Sequence, residues 1–251
     1  MENEKIIKSF NLKPNLNPKI WENYKDPNKA ELKNEIRTRL LEIANEFIDF
    51  VEVDIIVTDI ILMGSLVNYN WSEYSDFDLH ILSDLSQYSD EKKELYLQLF
   101  DLKKTIFNYQ HDIKIKGYDV ELYLQDDSEI GFSEGVYSIL NNEFISVPKK
   151  TETKINKELI IQKSKQWMDI IDGAIESVED NDFESGVKIL KKYYRKLKKY
   201  RQCGLESGGE FSIENLVFKY LRRNGYVGKL LDYRNKFMDK KLSMQEYTTK
   251  F

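Results

Sequence analysis

The chain has 251 residues, 41% of them apolar and 32% charged, with four prolines and eleven glycines; this supports one large core or two small ones and excludes a fibrous or disordered chain. A single cysteine, Cys203, excludes an internal disulfide and a cysteine metal centre; the opening MENEKIIKSF lacks a signal-peptide core, and the longest apolar run, DIIVTDIILMG, contains Asp59 and is too short to cross a bilayer, so a cytoplasmic setting is expected. The net charge of −5 hides an asymmetry, with 17 Lys/Arg and 28 Asp/Glu in residues 1–150, a net of −11, and 21 and 15 in residues 151–251, a net of +6; this reads either as a metal-holding half before a phosphate-holding half or as two solvated surfaces.

Residues 1–30, with Pro14, Pro18 and Pro27, read as an irregular arm anchored by Ile20 and Trp21. From Ala30 to about Val51, Leu32, Ile36, Leu40, Ile43, Ala44 and Phe47 recur at helical spacing. DIIVTDIILMG, rich in β-branched residues and closed by Gly64, predicts a strand running into a turn, and DFDLHIL predicts a second strand. Residues 90–110 read as a helix burying Leu95, Leu97, Leu99, Phe100, Leu102, Ile106 and Phe107. HDIKIKGYDVELYLQD reads as two short strands bent near Gly117. GVYSILNNEFISVP carries Tyr137, Ile139, Leu140 and Ile145 and is stopped by Pro148. Beyond Lys150 helical patterns take over, at about 154–179, 183–203, 212–223 and 226–240, punctuated by Gly204, Gly208 and Gly209. The order predicts an α+β fold: a mixed sheet backed by helices over residues 1–150, then an all-helical domain over 151–251.

A strand presents every second residue on one face. Asp76, Asp78 and His80 therefore share a face, while Phe77, Leu79 and Ile81 go to the core. Two carboxylates so placed lie roughly 6–7 Å apart at their Cβ atoms. They repel unless a cation stands between them, and a hard divalent ion such as Mg2+ suits an all-oxygen site. YDVELYL alternates likewise, with Val120, Leu122 and Leu124 on the core side and Asp119, Glu121 and Tyr123 opposite. Were the two strands neighbours, Glu121 would complete a three-carboxylate cluster of the kind used in phosphoryl transfer. The plainer alternative is a solvated strand face. Upstream, Gly64-Ser65 ends an apolar strand, and such a turn lets a phosphate approach the main chain.

Gly64-Ser65, ten residues ending in Ser75, then Asp76-Phe77-Asp78-Leu79, with Val120-Glu121-Leu122 in the place of a third acid, resembles the signature of the DNA-polymerase-β-like nucleotidyltransferase superfamily. The spacing is similar to that of its minimal members. The wording from NPKIW through GSLVNYNWSEYSDFDLHI and GYDVELYLQD to FSIENLVFKYLRRNGY resembles a group of phage-encoded nucleotidyltransferase-like proteins, which implies the cytoplasm of a bacterial host. The catalytic resemblance covers about residues 55–125. It implies a nucleotidyltransferase core with a helical partner domain, ATP or another NTP as substrate, and two Mg2+ (or Mn2+) ions. Asp76 and Asp78 would bind both metals, Glu121 would hold the second and help activate the acceptor hydroxyl, and Gly64 and Ser65 would hold the β- and γ-phosphates. The chain departs from many minimal members in having Asn68-Tyr69-Asn70-Trp71 where those carry a small residue and an Arg. Asn68 and Tyr69 then either contact the nucleotide or pack the loop.

His80 reads either as a carboxylate or substrate partner or as a satisfied structural histidine. His111 opens the segment before Glu121, and no His-Glu-x-x-His pattern is present. KILKKYYRKLKKYR, Lys188 to Arg201, holds eight basic residues and no acid. Val187, Leu190, Tyr194 and Leu197 form its inward stripe. Lys188, Lys192, Arg195 and Lys199 line another face suited to a triphosphate or a nucleic-acid backbone, and Tyr193 and Tyr200 are placed to stack on a base. The alternative is a solvated basic face. Arg222 and Arg223 read as charges capping a helix end, and Cys203 as a small buried side chain. The expected activity is transfer of a nucleoside monophosphate to an RNA end, a tRNA-like end or a protein hydroxyl. The alternative is a module that binds nucleotide or nucleic acid without chemistry.

Overall fold

A computed structural model describes residues 2–129, 133–150, 154–179 and 183–243. The chain divides into two units, Asn11–Thr151, and Met1–Phe10 with Glu152–Phe251.

In the first unit, β1 (Trp21–Glu22) pairs with β2 (Glu31–Leu32), and α2 (Asn34–Val51) follows; a short helix, α1 (Glu2–Lys8), belongs to the other unit. The helix predicted from Ala30 starts later because residues 31–32 are committed to that pairing, although Leu32 is still buried. Ile20 and Trp21 are buried as expected, and the Trp21 indole donates to the Leu66 carbonyl at 2.9 Å. Next come β3 (Val57–Met63), a single 3-10 turn (Ser65–Val67), β4 (Asp76–Ser83), α3 (Asp90–Gln110), β5 (Lys114–Ile115), β6 (Tyr118–Asp126), β7 (Val136–Ser138) and β8 (Glu143–Ser146).

The last six strands form one mixed sheet in the order β5-β6-β4-β3-β7-β8. Only β4 and β6 run parallel. Parallel neighbours need a long crossover, and α3 supplies it. The bend near Gly117 is a two-residue hairpin turn with positive φ at both Lys116 and Gly117. One sheet face carries Phe77, Leu79, Ile81, Val120, Leu122 and Leu124 into a core shared with Ile36, Leu40 and Phe47 of α2 and Phe100 and Phe107 of α3. α3 departs from expectation: only Phe100 and Phe107 are buried, while Leu95 and Leu102 are 65% and 59% exposed and Ile106 is exposed too. Apolar residues ring this helix on several sides, and the core takes the side with Phe100 and Phe107, with Tyr96 and Leu97 partly buried against it. In the last hairpin Tyr137 and Ile139 are buried, whereas Leu140 and Ile145 are exposed.

The second unit is helical: α1 (Glu2–Lys8), α4 (Lys157–Glu179), α5 (Phe183–Gly208), α6 (Ile213–Arg223) and α7 (Tyr226–Leu242). Its buried residues include Ile160, Ile171, Val187, Leu190, Leu197, Leu216, Leu221 and Leu230. Residues 2–10 are not an irregular arm. Ile6, Ile7 and Phe10 are buried, the Arg223 guanidinium donates to the Ser9 hydroxyl at 2.6 Å and lies 5.0 Å from the Phe10 ring. Arg223 therefore anchors this segment as well as ending α6 with a positive charge. Gly204 does not end α5; its missing side chain leaves room for Ser212 and Glu214. No helix among the described residues is long and apolar enough to cross a membrane.

Candidate active site

β4 and β6 bring the acids together by register. In the parallel pairing Asp76 stands beside Asp119, Asp78 beside Glu121, and His80 beside Tyr123. The core takes the odd-numbered residues of β4 and the even-numbered ones of β6, so the acids share the opposite face. One carboxylate oxygen from each of Asp76, Asp78 and Glu121 lies within 4.8 Å of the others. Asp76 and Asp78 are half-buried and Glu121 is exposed. No other trio of His, Cys, Asp or Glu among the described residues converges in this way. Asp119 stands apart, in an ion pair with Lys114 at 2.7 Å. Like charges this close repel, and a cation among them relieves the repulsion.

The turn after β3 reaches the same place because Met63 pairs with Asp78 across the antiparallel β3–β4 ladder. Gly64 follows at once, with φ +80°, and a Cβ built there would fall 1.9 Å from Asp78 Oδ2. The Asp78 carboxylate therefore rests against the bare Cα of Gly64, and any side chain there would displace it. The Ser65 hydroxyl donates to Ser75 Oγ at 2.7 Å, and Ser75 Oγ also accepts from the Ser72 amide at 2.9 Å. Ser75, one residue before Asp76, thus ties the turn to the start of the acid strand.

Asn68 and Tyr69 are both buried and pack within the protein. Asn68 is buried and its amide donates to the Gly64 carbonyl at 2.7 Å, bracing the turn from within. Tyr69 is 7% exposed and its ring belongs to the core, with the Lys150 ammonium 5.2 Å from its centroid. Burial pushes its hydroxyl pKa up.

Tyr123 and Gln125 share the Glu121 face of β6. The Tyr123 hydroxyl donates to Glu121 Oε2 at 2.6 Å, its ring stacks on His80 at 4.5 Å, and the Lys104 ammonium lies 5.0 Å from the ring centroid. Burial, the bond to Glu121 and the negative charges of Glu121, Asp78 and Asp76 raise its pKa, in that order, so it remains a donor. His80 Nδ1 stands 2.8 Å from Gln125 Oε1. Burial lowers its pKa more than this bond raises it, which keeps the ring neutral at pH 7. His80 is a partnered histidine that supports Tyr123. His111 is exposed, packs on Phe107 at 4.4 Å and caps α3 through its backbone.

Beyond the short β5, the edge of β6 is closed by a side chain. Asn108 of α3 donates to the Leu122 carbonyl and accepts from the Leu122 amide, both at 3.1 Å. This clamp holds the backbone next to Glu121. Lys192 and Arg195 lie on α5, in the helical unit, where both are exposed beside Lys188 and Lys199; Val187, Leu190 and Leu197 are buried as the stripe predicts. Cys203 is exposed, not buried, because the α5 face it sits on is left open. The alternation that exposes Glu121 already placed Tyr123 on its face and extends to Gln125, and Ser75 falls within the signature segment, whereas Asn108 carries no local signal.

Compared with known proteins, the chain matches no protein-family model and no curated protein.

Proposed function

We propose that the chain is a metal-dependent nucleotidyltransferase that moves a nucleoside monophosphate from an NTP to an acceptor hydroxyl. The acceptor oxygen attacks the α-phosphorus, the bond to the bridging oxygen breaks, and pyrophosphate leaves. The observation that carries this reading is the convergence of Asp76, Asp78 and Glu121 beside a turn whose glycine faces one of the acids.

The donor set fits Mg2+ or Mn2+: three carboxylates, with no cysteine and with its nearest histidine held by Gln125. Asp76 and Asp78 would hold two ions and Glu121 the second. When bound, such ions neutralise charge on the triphosphate and make the acceptor hydroxyl more acidic. The chain's own contribution is positioning. Gly64 makes room for the Asp78 carboxylate against the turn, and Ser65 and Ser75 fix that turn, whose backbone would take the phosphates. Tyr123 aims the Glu121 carboxylate, and Asn108 fixes the strand that bears it. The basic, tyrosine-rich helices favour RNA or a tRNA-like end as acceptor over a protein.

The test is transfer of label from α-labelled ATP, GTP, CTP and UTP, with Mg2+ or Mn2+, into bacterial RNA and, separately, into bacterial protein. Label in either fraction with wild type, and none with Asp78→Asn, supports the reading and names the acceptor class. Absence of label from every fraction, with NTP binding unchanged in Asp78→Asn, makes the chain a binding module instead.

A further inference from the structure

Charge, rings and shape coincide on one surface of the helical unit, apart from the acid cluster. The charge comes from Lys196 and Lys199, which belong to the Lys188–Arg201 run, a segment with no acid of its own. The rings come from two helices. Trp167 of α4 and Tyr200 of α5 lie 5.5 Å apart, tilted by 55°. Tyr193 stands two turns before Tyr200 on α5, with the Lys196 ammonium 5.6 Å from its centroid. The shape is an open groove of about 600 Å³ lined by Trp167, Tyr193, Lys196, Lys199, Tyr200 and Cys203, among others. Small-molecule sites typically span roughly 300–1,000 Å³.

The acid on this wall, Glu214, faces Lys163 at 3.7 Å, and Lys163 also lies 5.9 Å from the Tyr200 ring. Lys196 and Lys199 are exposed. The Tyr200 hydroxyl is buried and has no hydrogen-bond partner among the described residues, so no bond fixes the ring's angle.

We infer that this groove binds single-stranded nucleic acid, with bases stacked on Trp167, Tyr193 and Tyr200 and phosphates held by Lys196 and Lys199. Lysines alone would suit any polyanion. The rings narrow the choice, because they offer flat apolar faces that match unpaired bases and leave an acidic peptide without a partner. A duplex keeps its bases stacked on each other and has none to give. The inference holds whether or not the acid cluster is a nucleotidyltransferase site, since every residue it uses lies in the other unit.

Cys203 is the chain's one cysteine and lies exposed on the groove wall, so its alkylation reports occupancy directly. The experiment measures anisotropy of a short fluorescent oligouridylate, together with the rate of Cys203 alkylation by N-ethylmaleimide read by intact mass. The oligonucleotide is expected to bind and to slow alkylation several-fold, while a duplex of equal length and a polyglutamate peptide do neither. The double charge reversal Lys196→Glu/Lys199→Glu, at exposed positions, is expected to weaken binding by about tenfold or more. Tyr193→Leu is expected to weaken it by about fivefold or more at unchanged salt dependence. Asp76→Asn/Asp78→Asn is expected to bind as wild type does. The inference is overturned by absence of binding, by binding that leaves Cys203 unprotected, by equal protection with polyglutamate, or by loss of binding in the Asp76→Asn/Asp78→Asn chain.

Discussion

Gly64 is the residue on which the candidate site turns most sharply. Its φ of +80° disfavours an L side chain, and its Cα is in contact with the Asp78 carboxylate. Gly64→Ala is therefore expected to cost about 1–2 kcal/mol of stability and to displace Asp78, lowering the transfer rate by about 10²-fold. Thermal melts and transfer assays on one preparation separate the two effects. Tyr123 donates a hydrogen bond to Glu121 and, under the proposed function, positions that carboxylate. Tyr123→Phe keeps the ring on His80 but removes the 2.6 Å hydrogen bond. The expected result is a roughly tenfold fall in kcat with the melting temperature little changed. An unchanged kcat would leave Tyr123 a packing residue only.

At the scale of elements, the site depends on β4 and β6 being parallel neighbours joined by α3, and the Asn108 clamp holds that arrangement at the sheet edge. Asn108→Ala would leave the amide and carbonyl of Leu122 without their partners. We expect a loss of about 1–3 kcal/mol, measured as a shift of the urea midpoint at unchanged slope. Most of these elements were legible in the sequence. Alternation of Phe77, Leu79 and Ile81 with Asp76, Asp78 and His80 marked both the strand and its two faces, and the four late helices fall close to their predicted spans. The pairing of β4 with β6 was only conditional, because a strand's sequence does not name its neighbour. α3 was legible as a helix but not in its buried face, since Leu95, Leu102 and Ile106 form a second apolar stripe at helical spacing, on a different face from Phe100 and Phe107 and left exposed. The role of residues 2–10 was hidden for the same reason: Ile6, Ile7 and Phe10 are buried, and Ser9 and Phe10 meet Arg223, more than 200 positions away. Asn68 and Tyr69 look like surface loop residues in sequence, and only the fold reveals the carbonyl and the core that take them.

Across the whole molecule, the charge asymmetry follows the division into units. Residues 1–10 carry two lysines and two glutamates, so grouping them with the helical unit leaves its net charge at +6 and that of the sheet unit at −11. The acidic unit holds the three converging carboxylates, and the basic unit holds the ring-lined groove. This separation fits a chain that handles metal and triphosphate with one unit and a polyanion with the other. The most direct measurement uses one NTP labelled at the α- or the γ-phosphate, incubated with acceptor RNA or protein and either wild type or Asp78→Asn. We expect α-label to enter the acceptor with wild type alone and γ-label to leave as pyrophosphate. Transfer of γ-label, or transfer of α-label undiminished in Asp78→Asn, would contradict nucleotidyl transfer at the Asp76, Asp78 and Glu121 cluster.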